Sequence, residues 1–179
     1  MKTSPNHRPA LDAAMSFTLH IGRPRRRARE AGRCITRQMK IRAFQPNDEP
    51  AVVALWQECG LTRPWNDPHA DIARKLTEQP ELFLVGTMGD ELVATAMVGF
   101  DGHRGWVYYL AVSPRHRRRS CGRSLMREAE RLLIERGCPK LNLQVRSSNA
   151  QVLEFYRRLG YAQDDVVSLG RRLIHDQKP

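Results

Sequence analysis

Apolar and polar positions fall into a regular order from Met39 onward. Met39 to Phe44 alternates over six residues and predicts a short strand. The period then becomes helical through Val52, Val53, Leu55 and Trp56, with Asn47 or Asp48 placed to cap that helix and Gly60 to end it. Prolines and polar residues make 62–68 a loop, and Pro68 suits the first turn of a second helix running to Gln79. Leu82–Met88 and Glu91–Phe100 flank Gly89-Asp90 as a hairpin. After a tight turn at 101–105, Trp106–Val112 is almost continuously apolar, as a strand covered on both faces is.

A loop, Ser113–Cys121, leads into a helix over Gly122–Arg136, whose Leu125, Ala129, Leu132 and Leu133 form one stripe. Gly137 and Pro139 stop it. Leu141–Arg146 alternates again and predicts a strand with one polar face. Ser148 to Gln151 fits a capping box opening a helix with Val152, Phe155, Tyr156 and Leu159 on one side, and Tyr161–Ile174 is a last extended region with room for one more strand. The order β-α-α-β-β-β-α-β-α-β defines an α/β fold class, a mixed sheet with helices on both faces.

Composition changes this picture at one end only. The 179 residues suit a single domain, and 41% hydrophobic with 27% charged residues is ordinary for a globular chain. No apolar run nears the roughly 18 residues that span a bilayer, so no membrane partner is expected. The net charge of +11 points toward nucleic acid, but +7 of it lies in residues 1–38. That stretch lacks the apolar run of a secretory signal, and it has little Ser and no clear amphipathic helix for a transit peptide. Arg25–Arg29 leaves a nucleic-acid-binding arm open. The reading adopted is a disordered basic extension outside the fold, or one preceding a start at Met39, with the folded domain over 39–179. Cys34, Cys59, Cys121 and Cys138 show no metal-ligand spacing, so free thiols, no metal and a cytoplasmic setting are expected.

The chemistry gathers between Leu110 and Tyr161. A buried strand runs into Arg115, His116, Arg117, Arg118 and Arg119, then Ser120-Cys121-Gly122-Arg123, then a helix. Unpaired N–H groups at a helix start, small residues and arginines suit a polyphosphate. A solvated basic loop or a nucleic-acid backbone contact fits the loop alone equally well. The Walker pattern is absent.

Two motifs together resemble the GNAT (GCN5-related N-acetyltransferase) superfamily. Val112-Ser113-Pro114 precedes Arg117-Arg118-Arg119-Ser120-Cys121-Gly122, and Asn149 precedes Phe155-Tyr156 and Leu159-Gly160-Tyr161. The resemblance spans roughly Met39 to His175. Arg63–Pro68, Asp101–Gly105 and Gly137–Lys140 further resemble the YpeA type of bacterial member. It implies a mostly antiparallel sheet of six or seven strands with a parallel splayed pair. It also implies acetyl-CoA as the acyl donor, bound where Trp106–Val112 parts from Leu141–Arg146. Leu110, Ala111 and Val112 would line the pantetheine like an added strand. Arg117, Arg118, Arg119, Ser120, Cys121, Gly122 and Arg123 would hold the pyrophosphate, Asn149 the pantetheine arm, and Tyr156 would protonate the leaving thiolate. The acceptor is an amine, of a small molecule or a protein, attacking directly.

The chain departs from the family pattern twice. Ser120 stands where the first glycine of the phosphate loop is usual, and Trp106 stands where some members carry a glutamate base. Deprotonation then falls to water, Asp101, His103 or Asp67. Trp65, Asp67, Asp101 and Tyr108 are the residues expected to contact the acceptor, a Trp and an Asp suiting a cationic amine. Tyr156 has a second reading as a core aromatic, which the motif makes the lesser one, Asn149 can serve as a cap as well as a ligand, and Trp65 and Trp106 are core or site wall. His103 and His116 read as surface residues, and Cys121 as a thiol of lowered pKa. A homodimer stays open. Two rivals remain: a catalytically silent acyl-CoA sensor, and a basic nucleic-acid-binding module, which the charge split disfavours.

Overall fold

A computed structural model describes residues 38–174 and 176. The basic extension expected over 1–38 lies, Gln38 apart, outside the described residues. Five strands form one sheet in the order β1 (Lys40–Ala43), β2 (Phe83–Met88), β3 (Glu91–Phe100), β4 (Gly105–Val112), β5 (Leu141–Leu143). The first three pairings are antiparallel and β4–β5 is parallel. Helices α1 (Glu49–Glu58) and α2 (Pro68–Thr77) cover one face, and α3 (Cys121–Glu135) and α4 (Ala150–Arg158) the other. Among the described residues no helix is long and apolar enough to cross a membrane.

The two faces carry separate cores. Under α1 and α2, Val52, Trp56, Ile72, Phe83, Val85, Met97 and Ala111 are buried together, with Phe44 stacked on Phe83 at 4.5 Å. Under α3 and α4, Leu84, Ala96, Val98, Val107, Leu125, Met126, Ala129 and Leu133 form the larger cluster. The stripe expected on α3 shifts by part of a turn: Met126 is buried and Leu132 lies at the rim. A three-residue 3-10 turn at Pro46–Asp48 leads into α1. Neither expected capping side chain acts there: Asp48 instead takes a fork from Arg42 at 2.6 and 2.8 Å and the N–H of Gln45 at 2.8 Å. The Arg42 guanidinium holds the Asp48 carboxyl below its usual range.

Four expectations change. The strand over 141–146 ends at Leu143, because beyond that point β4 no longer lies alongside. Tyr161–Ile174 forms no strand, so the sheet has five strands rather than six or seven. A three-residue β5 offers too short an edge to template one. Side-chain ties from Lys140 to Asp164 (2.6 Å) and from Gln144 to Ser168 (2.7 Å) guide that segment instead. Strand β4 is not covered on both faces, since Tyr108 stays 47% exposed. The α4 cap is Asn149, whose Oδ1 accepts from Val152 N at 3.3 Å, with no Ser148–Gln151 box.

Candidate active site

Strands β4 and β5 pair only through Gly105–Leu141, Trp106–Asn142 and Val107–Leu143. From Tyr108 to Val112, β4 has no partner on that side among the described residues. The cause lies in β4 itself. Thr95 opposes Ala111 and Met97 opposes Tyr108, so Ala96 alone faces Tyr109 and Leu110. This bulge turns the strand away from β5. Tyr109 at its centre has φ +49°, a left-handed conformation a bulky residue adopts only when its surroundings hold it there. They do: its ring stacks on Trp56 at 4.0 Å, its carbonyl accepts from Thr95 Oγ1 at 3.0 Å, and its hydroxyl donates to Asp71 at 2.5 Å. Burial pushes that hydroxyl's pKa up to about 12.

The open end of β4 runs directly into the arginine loop. Ser124 is the first residue of α3 whose N–H reaches a backbone acceptor, Ser120 O at 2.9 Å. Among the described residues the N–H groups of Arg118 to Arg123 meet no acceptor. Arg118 and Ser120 both sit at positive φ, +60° and +62°. Two left-handed residues with one residue between them, and with these free N–H groups around them, make a turn of the kind that forms an anion-binding nest. The side chains of Arg117, Arg118, Arg119 and Arg123 are exposed, and no salt bridge among the described residues uses them. Gly122 lets the nest pack closely: a Cβ there would stand 3.2 Å from Phe155 Cζ and 3.6 Å from Val112 Cγ2. Strand end, loop and α4 therefore meet at one point. Six residues expected to bind an anion, Arg118 to Arg123, supply the free donors.

Ser120 pays a conformational cost for its place, since left-handed non-glycine residues cost roughly 1–2 kcal/mol each. Ser120→Gly is expected to stabilise the protein by up to about 1 kcal/mol after the added freedom of the unfolded chain is offset. Urea unfolding measures this, and a net loss of stability would show that the hydroxyl holds the loop.

Three residues behave otherwise than expected. Cys121 is 3% exposed, and burial raises its thiol's pKa, outweighing the nearby arginine. The side chain of His116 is only 12% exposed, with Nδ1 buried and unpaired. Asp101 accepts from the N–H groups of His103 (2.8 Å) and Arg104 (2.6 Å) and from Trp106 Nε1 (3.2 Å). Those bonds depress its pKa and make it a weak base.

Tyr156, on α4, is 8% exposed and lies edge-on to Phe155 and Tyr161, with centroids 5.0 and 5.7 Å away. Its pKa is pushed up to about 12 by burial alone. Among the described residues its hydroxyl has no hydrogen-bond partner. Asn149 gives its side-chain oxygen to the α4 cap, leaving the amide nitrogen available.

On the opposite face of the sheet, Trp65 is 51% exposed and Tyr108 stacks on Trp106 at 6.3 Å. Asp67 caps α2 by accepting from His69 N at 2.9 Å. A shallow cleft of about 270 Å³ lies beside Tyr108, lined also by Asp71, Arg74, Lys75, Met97 and Gly99. Asp71 and Arg74 were not singled out from the sequence. Their three-residue spacing on α2 puts them on one helix face, a signal no stronger than any exposed ion pair. Among the described residues no cluster of three His, Cys, Asp or Glu could hold a metal.

A model of the acetyltransferase (GNAT) family matches residues 44–161. An acetyltransferase of Yersinia pestis is 49% identical over 140 residues, 78% of this chain and 99% of that protein. Among solved structures, Ard1 from Thermoplasma volcanium superposes with a TM-score of 0.63 at 28% identity, over 69% of this chain and 82% of its own. AAC(6')-Iy, solved with a CoA-containing bisubstrate analogue, gives a TM-score of 0.65 at 15% identity, over 76% of this chain and 99% of its own, a likeness of fold alone.

Proposed function

The chain belongs to the GNAT family of acetyltransferases, and from that premise we propose that it moves an acetyl group from acetyl-CoA to a primary amine by direct attack, with Tyr156 as the general acid. The observation that carries this reading is the joining of two features: β4 parts from β5 after Val107, and the part left free leads into six consecutive N–H groups that meet no acceptor among the described residues. A diphosphate satisfies those donors, and the arginines around them add charge-assisted contacts. The free edge of β4 at Leu110 and Val112 pairs with the amide-bearing pantetheine as a strand would. Val112 O already accepts weakly from Cys59 Sγ at 3.4 Å, so Leu110 offers the freer carbonyl. The Asn149 amide nitrogen is a further donor to the same arm.

The chain's own residues then orient the thioester rather than form a covalent bond to it. Tyr156 keeps its proton at neutral pH, as an ordinary tyrosine with a pKa of about 10 does, and burial pushes its pKa further up, to about 12. A thiol's pKa is about 8.5, so full proton transfer to a free thiolate is uphill. Tyr156 therefore hydrogen-bonds the sulfur as charge gathers on it and hands over its proton late, so that CoA leaves as the thiol and the phenolate regains a proton from water. With Asp101 held low and Asp67 engaged as a cap, water takes the amine's proton. An amine's pKa near 8 to 10 leaves a reactive neutral fraction at pH 7.

The test has two parts. Acetyl-CoA at about a hundred times its Kd is expected to stabilise the fold by about 2.7 kcal/mol, read as a rise in melting temperature. An amine panel with thiol detection then reads turnover. Stabilisation without thiol release from any amine would mark a silent acyl-CoA sensor. No stabilisation would overturn the donor itself.

A further inference from the structure

The segment beyond α4 returns to the wall of the cleft beside Tyr108. Arg172 donates to Trp65 O and to Asn66 Oδ1, both at 3.0 Å. Asp176 then meets three donors at once. Arg74 reaches it with both arms of its guanidinium, at 2.9 and 3.0 Å, and Asp67 N donates at 3.2 Å. The Asp176 side chain is only 6% exposed although it lies near the chain end. An ordinary surface pair leaves both partners in water. Here the carboxylate is covered by a planar fork plus a backbone donor, the geometry of carboxylate recognition, while the Arg74 side chain itself stays 55% exposed.

These donors are wired to the centre of the site. Arg74 also donates to Asp71 at 2.6 Å, and Asp71 accepts from the Tyr109 hydroxyl at the bulge that opens β4. Arg74 and Asp71 both line the cleft, whose volume of about 270 Å³ is below the roughly 300 Å³ at which drug-sized pockets begin. Such a space suits a small acceptor. The face of Tyr108 and the Asp71 carboxylate supply an aromatic surface and an anion, both favourable to an ammonium group.

We propose that Arg74 and the N–H of Asp67 form a carboxylate subsite at the edge of the acceptor cleft, which Arg74 lines, that Asp176 fills it from within the chain, and that the acceptor is a small amine bearing its own carboxylate, an amino acid by class. This rests on the reading of the chain as an amine acetyltransferase. The acceptor's carboxylate displaces Asp176, leaving its amine toward Asp71 and the β4 bulge. Asp176 is thus an internal competitor that sets a threshold concentration for acceptors with a carboxylate and leaves acceptors without one unaffected.

The experiment compares glycine, L-alanine, L-methionine and L-phenylalanine with their carboxamides, as acceptors for the full-length chain and for Asp176→Asn, Arg74→Gln and Arg74→Lys. Each pair differs in the carboxylate, and comparing the acid-to-amide ratio of kcat/KM between proteins cancels the difference in amine basicity. Asp176→Asn is expected to raise that ratio roughly tenfold, the scale on which removing a tethered, millimolar competitor acts. Arg74→Gln is expected to lower it at least tenfold, and Arg74→Lys, which keeps the charge without the fork, to lower it less. The melting temperature of each protein is measured with the same eight compounds in the presence of CoA. Acids are expected to stabilise Asp176→Asn more than amides do, and to lose that advantage in Arg74→Gln. Equal ratios in all four proteins, or variants that only melt earlier, would show a structural ion pair and overturn the subsite. If no amine releases thiol, the acetyltransferase reading fails alone, and the melting comparison still decides the subsite.

Discussion

Tyr156→Phe is expected to lower kcat for acetyl transfer by roughly 10²- to 10³-fold, the scale on which a positioned proton donor contributes, while acetyl-CoA still raises the melting temperature as it does for the unsubstituted chain. The substitution removes one oxygen and keeps the ring, so the edge contacts with Phe155 and Tyr161 persist. Because that hydroxyl has no partner among the described residues, its removal orphans nothing in the resting protein. The loss therefore falls on the step in which charge builds on sulfur, and kcat drops rather than KM rising. Tyr161→Phe is the control. Its hydroxyl, whose pKa burial and Glu130 hold far above the usual range, donates to Glu130 at 2.7 Å, tying the end of α4 to α3. That variant should melt earlier and turn over normally. Turnover of Tyr156→Phe within about threefold of the parent would return Tyr156 to the role of a core aromatic.

The parts of the site that could be read from the sequence were those made by consecutive residues. Val112-Ser113-Pro114 and the run from Arg117 to Gly122 place strand end, loop and helix start in order, and a nest is built from neighbours along the chain. The alternation of Glu91–Phe100 and the Gly89-Asp90 turn gave the hairpin for the same reason. What was not legible depends on register. The bulge at Tyr109 leaves no mark on β4, which reads as one unbroken apolar run, yet it ends the β4–β5 pairing and exposes Tyr108. The early end of β5 follows from it, and so does the absence of a sixth strand.

Asp71 and Arg74 are not legible in the sequence because what marks them is whom they meet: Tyr109 from a strand 38 positions away and Asp176 from a segment 102 positions away. Cys121 was misread for the opposite reason. Its sequence neighbours are arginines, but its spatial neighbours are Leu125, Met126 and the rest of the α3 core, and burial prevails.

Thr95→Val should be the most damaging conservative change in the core, costing about 2–6 kcal/mol, because it removes the hydroxyl that anchors the bulge. Thr95 is fully buried. Its Oγ1 accepts from Trp56 Nε1 at 2.9 Å and donates to Tyr109 O at 3.0 Å. Valine fills the same space but leaves an indole N–H and a carbonyl unpaired, at about 1–3 kcal/mol each. Against a total stability on the order of 5–15 kcal/mol, that is a large share. It should appear as a lower urea midpoint with an unchanged slope. The loss should also reach function. Without the anchor on its carbonyl, Tyr109 has less to hold it at positive φ, and the bulge that parts β4 from β5 relaxes. Stabilisation by acetyl-CoA should therefore shrink along with the resting stability. Thr95→Ser, which keeps the hydroxyl and loses one methyl, should cost only about 1 kcal/mol and preserve the acetyl-CoA effect. A Thr95→Val protein that loses stability yet responds fully to acetyl-CoA would show that Trp56 stacking and the Asp71 bond hold the bulge unaided. A loss below about 1 kcal/mol would mean that both polar groups find other partners.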